Sequence, residues 1–158
     1  NYNTAQSNVT TAAQLGSYLD QVRTATGWSK VDVVTHSMGG LSSRYCIKFG
    51  SCGGKVDDWV SLGGPNHGTY VAGWCNLLLI SCQQMLPGSS FLNSLNRSPE
   101  VTSGAASWTT YWSWCDEIIN PDSSVVLSGA SNRNIGCVGH LLMTSNSSVI
   151  SSVISVVR

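Results

Sequence analysis

The chain has 158 residues, which suits one domain around one hydrophobic core, and its eight Lys and Arg balance eight Asp and Glu to a formal net charge of zero. No basic face or run offers a hold for nucleic acid, and no acidic block suggests a solvating tail. The longest apolar runs, such as Leu77-Leu78-Leu79-Ile80, fall far short of the roughly 20 residues that cross a bilayer. The opening Asn1-Tyr2-Asn3-Thr4 is polar and uncharged, unlike a signal peptide, and fits a processed or a truncated start.

Asn1 to Ser7 reads as loop. From Val9 to about Ala25 the apolar residues Val9, Ala12, Ala13, Leu15, Leu19 and Val22 keep helical spacing, with Asn8 or Thr10 as N-cap and Gly27 as the stop. Val31 to Thr35 is short and β-branched, hence a strand. A second helix is expected from Gly39 to about Phe49, ended by Gly50. Val56 to Leu62 is the next strand, running into the loop Gly63-Gly64-Pro65-Asn66. His67 to Ser107 is loop-rich, with a short helix near Phe91–Leu95. Trp108–Trp112 reads as a strand, Val125–Ser128 as a weak one and Asn134–Val138 as the last. Ser147 to Val157 fits a closing helix. Alternating strands and helices predict an α/β fold with right-handed crossovers, a mostly parallel sheet and helices on both faces.

The six cysteines include no Cys-x-x-Cys pair, which argues for disulfides over zinc, the alternative being six buried thiols. Sequence neighbours suggest Cys46–Cys52, Cys75–Cys82 and Cys115–Cys137, although sequence alone does not choose among the pairings. Paired cysteines imply an oxidising compartment, so the expected location is extracellular, by secretion. The sequons at Asn8, Asn96 and Asn146 are glycosylation acceptors only in a eukaryotic host, and chance explains them in a chain this rich in Ser and Asn.

The strongest local signal is Val31-Asp32-Val33-Val34-Thr35-His36-Ser37-Met38-Gly39-Gly40. A strand ends, a serine stands between small residues two positions either side, and a helix begins. This is the form of a nucleophile elbow, in which a strained backbone lifts the serine hydroxyl out of a turn too tight for bulky neighbours. Thr35 stands where glycine is usual. The helix start favours negative charge, and the Met38 N–H is placed to donate to an oxyanion.

A serine needs a base. Of the three histidines, His36 adjoins Ser37 and its ring is expected to point away from the hydroxyl. His67, in Pro65-Asn66-His67-Gly68-Thr69, reads as a structural loop residue. His140 follows the last expected strand and satisfies the chain order serine, acid, histidine of α/β-hydrolases. Between Ser37 and His140 the candidate acids are Asp57, Asp58, Glu100, Asp116, Glu117 and Asp122. Asp57 and Asp58 open a strand, at the end away from the crevice. Asp116 follows Trp108–Trp112 and is the preferred acid, with Asp122 as runner-up. A Cys115–Cys137 bridge would tie the acid loop to the histidine loop.

These blocks resemble the class 2 bacterial lipases, secreted triacylglycerol lipases of minimal α/β-hydrolase fold. The likeness rests on Lys30 to Gly40, Lys55 to Thr69, Cys115-Asp116-Glu117-Ile118-Ile119 and Gly136 to Leu141, in the family's order. It implies a triad of Ser37, Asp116 and His140 with Met38 as oxyanion donor, no cofactor and no metal requirement. Such lipases begin with strands and a His-Gly loop that supplies a second oxyanion donor, and nothing here matches that loop. Residues 1–158 are therefore expected to form a single α/β-hydrolase domain lacking its N-terminal strands.

Val71, Leu77 to Ile80, Leu141, Leu142 and Met143 line an acyl groove or an interfacial patch on this reading, or pack in the core. His36, Leu141 and Leu142 are the candidate substrate-binding residues. The expected partners are a lipid or small ester and, transiently, a lipid–water interface, with no nucleic acid and the chain a monomer. Two rivals stay open: a non-catalytic hydrolase-fold scaffold, and an acyltransferase using the same triad with an alcohol in place of water.

Overall fold

A computed structural model of the chain describes residues 3–157. The first helix, α1 (Asn8–Thr26), starts one residue earlier than its apolar spacing suggests. Its N-cap is Ser7, whose hydroxyl accepts from the Val9 N–H, rather than Asn8 or Thr10. Asn8 is instead fully buried: its amide oxygen accepts from Ser42 at 2.6 Å, and its backbone and side-chain N–H groups donate to Gln84. That burial also closes the first sequon. Gly27 ends the helix in the left-handed region at φ 76° and donates to the Arg23 carbonyl.

Four parallel strands follow, β1 (Val31–His36), β2 (Val56–Leu62), β3 (Ser107–Trp112) and β4 (Ser131–Asn134), ordered β1-β2-β3-β4 across one sheet. Between β1 and β2 runs α2 (Gly39–Phe49); α3 (Ile80–Met85) and α4 (Ser90–Leu95) lie between β2 and β3, and α5 (Ser147–Ile154) closes the chain. Side chains alternate across a strand, so the neighbours Trp59 and Val60 of β2 bury opposite ways. Trp59 packs with Ala12 and Leu19 of α1, Cys46 and Ile47 of α2, Val33 and Trp108. Val60 packs with Leu62, Tyr111, Met143 and the α5 residues Val149 and Val153. The sheet thus carries helices on both faces, and each buried Val- or Leu-sized side chain contributes about 1.5–3 kcal/mol.

Two expected strands differ. Val125 and Leu127 are fully buried, yet a 3-10 turn at Asp122–Val125 replaces the Val125–Ser128 strand. Its backbone is committed to a loop instead: the Ser124 carbonyl accepts from His67 N–H and the Val125 carbonyl from the Asn66 amide. The last strand is Ser131–Asn134, not Asn134–Val138. It is a polar edge strand, while Ile135 directly after it and Val138, beyond the turn at Gly136 (φ 76°), pack their side chains into the α5 cluster. Met143 is fully buried and packs in the core with Val60, Leu62 and Tyr111.

Six cysteines form three disulfides, Cys46–Cys52, Cys75–Cys82 and Cys115–Cys137. Arg44 of α2 is buried and donates to the Asn66 and Asn96 amide oxygens and the Glu100 carbonyl, holding the loops beyond β2 on the helix. Burial pushes its guanidinium down to about 10, against the pull of Glu100, so it stays charged at neutral pH. Among the described residues no helix is long and apolar enough to cross a membrane.

Candidate active site

Ser37 stands between the end of β1 and the start of α2 with φ 55°, the one non-glycine residue with positive φ among those described. An L-residue there costs about 1–2 kcal/mol. The position is held from both sides: Ser37 N–H donates to the Leu62 carbonyl of β2 at 2.9 Å, and its own carbonyl accepts from Gly40 N–H at 3.0 Å. A Cβ on Gly40 would stand 2.6 Å from the Ser61 hydroxyl, so only glycine lets α2 cross β2 this closely. Thr35 is accommodated because its hydroxyl donates to the Val60 carbonyl at 3.0 Å. The Met38 N–H has no acceptor among the described residues, and the Met38 side chain is buried beneath the helix start.

Asp116 and His140 come from loops after β3 and β4 and meet at the same end of the sheet. His140 Nδ1 lies 2.8 Å from Asp116 Oδ2, with both side chains almost wholly enclosed. Asp116 Oδ1 accepts from the Ile119 and Ile118 N–H groups at 2.8 and 2.9 Å. Burial alone would raise the Asp116 carboxyl, but the bonds from His140, Ile119 and Ile118 outweigh it and hold the group below the usual carboxylate range. The acid is thus charged and fixed at neutral pH, and the imidazole is held with Nδ1 towards it. His140 Nε2 is buried with no hydrogen-bond partner among the described residues, Ser37 included.

Three residues outside the expected triad shape this pair. Gly63, at the end of β2, has φ 55°, and a Cβ there would lie 3.1 Å from Asp116 Oδ2 and from His140 Nδ1 and Cε1. Glu117 accepts from the His140 backbone N–H at 2.9 Å, fixing the entry to the histidine turn. Ser113, through its hydroxyl, accepts from Val138 N–H and donates to the Gly136 carbonyl, joining the acid and histidine loops beside Cys115–Cys137. Only the run of loop residues around each position signals these in sequence, since the contacts are between distant segments.

His36 packs its ring 4.6 Å from that of His140, and its Nε2 lies 3.0 Å from the His140 carbonyl. Burial lowers its pKa, with the His140 carbonyl opposing, so a neutral His36 supports His140. Leu141 and Leu142 are exposed immediately after His140. His67 lies outside the pair, bonded to Glu100 Oε1 at 2.8 Å and to Ser124. Asp122 caps the Ser123 N–H, and Asp57 and Asp58 lie at the opposite end of β2.

Leu77 and Leu78, inside the loop closed by Cys75–Cys82, are 91 and 84% exposed, Trp74 just before it is 92% exposed, and Trp114, Leu141 and Leu142 are also exposed.

Strand–serine–helix elbow, parallel sheet and a buried Asp–His pair at the strand ends define an α/β-hydrolase fold. Residues 2–135 match the class 2 lipase family, and the chain belongs to that family of carboxylic ester hydrolases. The mature Bacillus licheniformis lipase BlEst2 superposes with a TM-score of 0.75 at 16% identity, over 93% of this chain and 73% of that one. Aspergillus fumigatus lipase B gives 0.71 at 24% identity, over 84% of this chain, which spans 35% of the length of that lipase. The Bacillus subtilis carboxylesterase CesB gives 0.51 at 14%, over 92% and 66%. At these identities the likeness is one of fold. His140 lies beyond the matched residues, so its place in the site rests on its geometry with Asp116.

Proposed function

We propose that the chain hydrolyses carboxylic esters of lipids through an acyl-enzyme on Ser37, with His140 as general base and Asp116 as the acid that orients it. The observation that carries this is His140 itself: Asp116 holds Nδ1, leaving a buried, unpartnered Nε2 as the basic atom at the elbow end of the sheet. Nε2 takes the Ser37 hydroxyl proton as Oγ attacks the ester carbonyl carbon, and the imidazolium then gives that proton to the departing alcohol. Water attacks the acyl-enzyme in turn. His140 takes the water's proton and returns it to Ser37 as the acid leaves. The contact between His140 and Ser37 that the apo geometry does not make forms with substrate in place, as catalytic hydrogen bonds often tighten only in the complex.

Met38 N–H donates to the oxyanion in both tetrahedral intermediates. Residues 1–158 act as one hydrolase domain, with β1 at the edge of its sheet, where Val34 is half exposed. Losing an oxyanion donor costs about 10²–10³ in rate. The exposed Trp74, Leu77, Leu78, Leu141 and Leu142 present an apolar face to a lipid–water interface. Three disulfides support an oxidising, extracellular setting.

Hydrolysis of a short p-nitrophenyl ester and of a tributyrin emulsion, each against a Ser37→Ala control, tests the reading. Activity on both that vanishes in the control is expected. Equal rates in chain and control would overturn it.

A further inference from the structure

His140 has four groups that form hydrogen bonds, and the fold ties down three of them. Its ring Nδ1 lies 2.8 Å from Asp116 Oδ2, its carbonyl accepts from His36 Nε2 at 3.0 Å, and its backbone N–H donates to Glu117 Oε2 at 2.9 Å. Only Nε2 is left without a partner among the described residues. The bond from the N–H has an unusual source. His140 opens the 3-10 turn His140–Thr144, and the residue before that turn is Gly139. A side chain at such a position commonly accepts from the first free N–H groups of a helical turn, and glycine has none to offer. Glu117 supplies the acceptor instead, from the acid loop 23 residues earlier in the chain.

Gly139 marks the contact. Its φ of -61° and ψ of 152° are open to residues with side chains, so glycine is not there for backbone freedom. A Cβ at Gly139 would stand 3.3 Å from Glu117 Oε2 and 3.7 Å from Oε1. The bare Cα therefore lets the carboxylate lie against the peptide that it binds. The bond from the His140 N–H, and then that from its own N–H, hold the Glu117 carboxyl below the usual range against the neighbouring Asp116 charge, so it is ionised at neutral pH. An ionised acceptor makes the stronger kind of N–H···O bond. We propose that Glu117 is a positioning residue for catalysis: it fixes the main chain of His140, so that two consecutive acids hold one histidine, Asp116 by its ring and Glu117 by its backbone. The proposal rests on the reading of His140 as general base. What Glu117 contributes is an acceptor oxygen at the right reach, and not its charge as such.

Variants at Glu117 separate reach from charge. Glutamine keeps an acceptor oxygen at the same reach, aspartate keeps the charge on a shorter arm, and alanine keeps neither. In p-nitrophenyl butyrate kinetics, Glu117→Ala and Glu117→Asp should each lose about tenfold in kcat with KM within about twofold, and Glu117→Gln should regain most of that loss. Unfolding midpoints of all three should stay within about two degrees of the unaltered chain, because the side chain is exposed. Gly139→Ala crowds the same carboxylate, so it should lower kcat in the unaltered chain and cost nothing more once Glu117 is replaced by alanine. Exchange of the His140 amide proton, followed by NMR, reads the bond without turnover: it should quicken at least about tenfold in Glu117→Ala and stay slow in Glu117→Gln. A full rate in Glu117→Ala, restoration by aspartate and not by glutamine, or unchanged amide exchange in Glu117→Ala would each overturn the proposal. A chain no faster than its Ser37→Ala control would instead overturn the hydrolase reading, and the amide exchange would still decide whether Glu117 holds His140.

Discussion

Gly63→Ala separates the geometry of the Asp116–His140 pair from the general cost of strain. Gly63 has φ 55°, where an alanine costs about 1–2 kcal/mol. Its Cβ would also stand 3.1 Å from Asp116 Oδ2 and from His140 Nδ1 and Cε1, tight enough that the pair must yield by a few tenths of an ångström. Both side chains are enclosed, at 1 and 2% exposure, so neither can swing away and the Asp–His unit shifts relative to Ser37. A misplacement of about 1 Å can cost about 10²-fold, which puts this smaller shift at about tenfold or more in kcat/KM. Gly27→Ala is the control: φ is 76°, but nothing lies within 4 Å of the added Cβ. Urea unfolding and p-nitrophenyl butyrate kinetics on both variants read the two effects apart. Both should lose about 1–2 kcal/mol, and only Gly63→Ala should lose activity. Gly63→Ala with the rate of Gly27→Ala would refute the claim that this pair drives catalysis from its observed position.

The carboxyls of Asp116 and Glu100 are both held low in the fold: for each, burial raises the group and hydrogen bonds outweigh it, from His140 for Asp116 and from His67 for Glu100. Folded values below the unfolded ones mean the unfolded chain binds more protons in acid, so their stabilisation is complete above about pH 5 and is lost as pH falls through about 4 and below. Urea midpoints measured from pH 7 to pH 3 should fall, and fall less in Asp116→Asn; an unchanged slope would contradict the hydrogen-bonded carboxylate. Replacing Cys115 and Cys137 with Ser opens a loop of 22 residues. The chain-entropy estimate for that loop is about 3 kcal/mol, and kcat should fall with stability because both catalytic loops loosen. Trp74→Ser with Leu77→Ser and Leu78→Ser should leave hydrolysis of a soluble short ester intact and reduce adsorption to tributyrin droplets; equal adsorption would refute a lipid-facing role for that surface.

Much of this fold is written in local pattern. The β-branched run of β1, the helical spacing of α1 and α2, and the apolar strands β2 and β3 fall within a residue or two of where the sequence puts them, since each buries a continuous apolar face. The misses share a cause. Val125 and Leu127 are as apolar as a strand, but β3 already has neighbours on both sides, and their backbone goes to Asn66 and His67. Ser131-Asn132-Arg133-Asn134 is a strand without an apolar face because it is an edge, fixed by β3 and not by its own side chains. At the site, Ser37 is legible because the elbow is local; the order of serine, acid and histidine points to His140, and the place after β3 prefers Asp116 among six acids. Gly63, Glu117 and the His36–His140 contact are not legible, because each acts across segments far apart in sequence.

The most direct test of the central claim is the reaction of the chain with an alkyl fluorophosphonate, read by intact mass and by mapping the modified peptide. A serine activated by a held imidazole attacks phosphorus and expels fluoride, so the account predicts one adduct per chain on Ser37, loss of esterase activity in step with labelling, and no adduct in Ser37→Ala or His140→Ala. Labelling at another residue, or no labelling of Ser37 while the chain still hydrolyses esters, would contradict it.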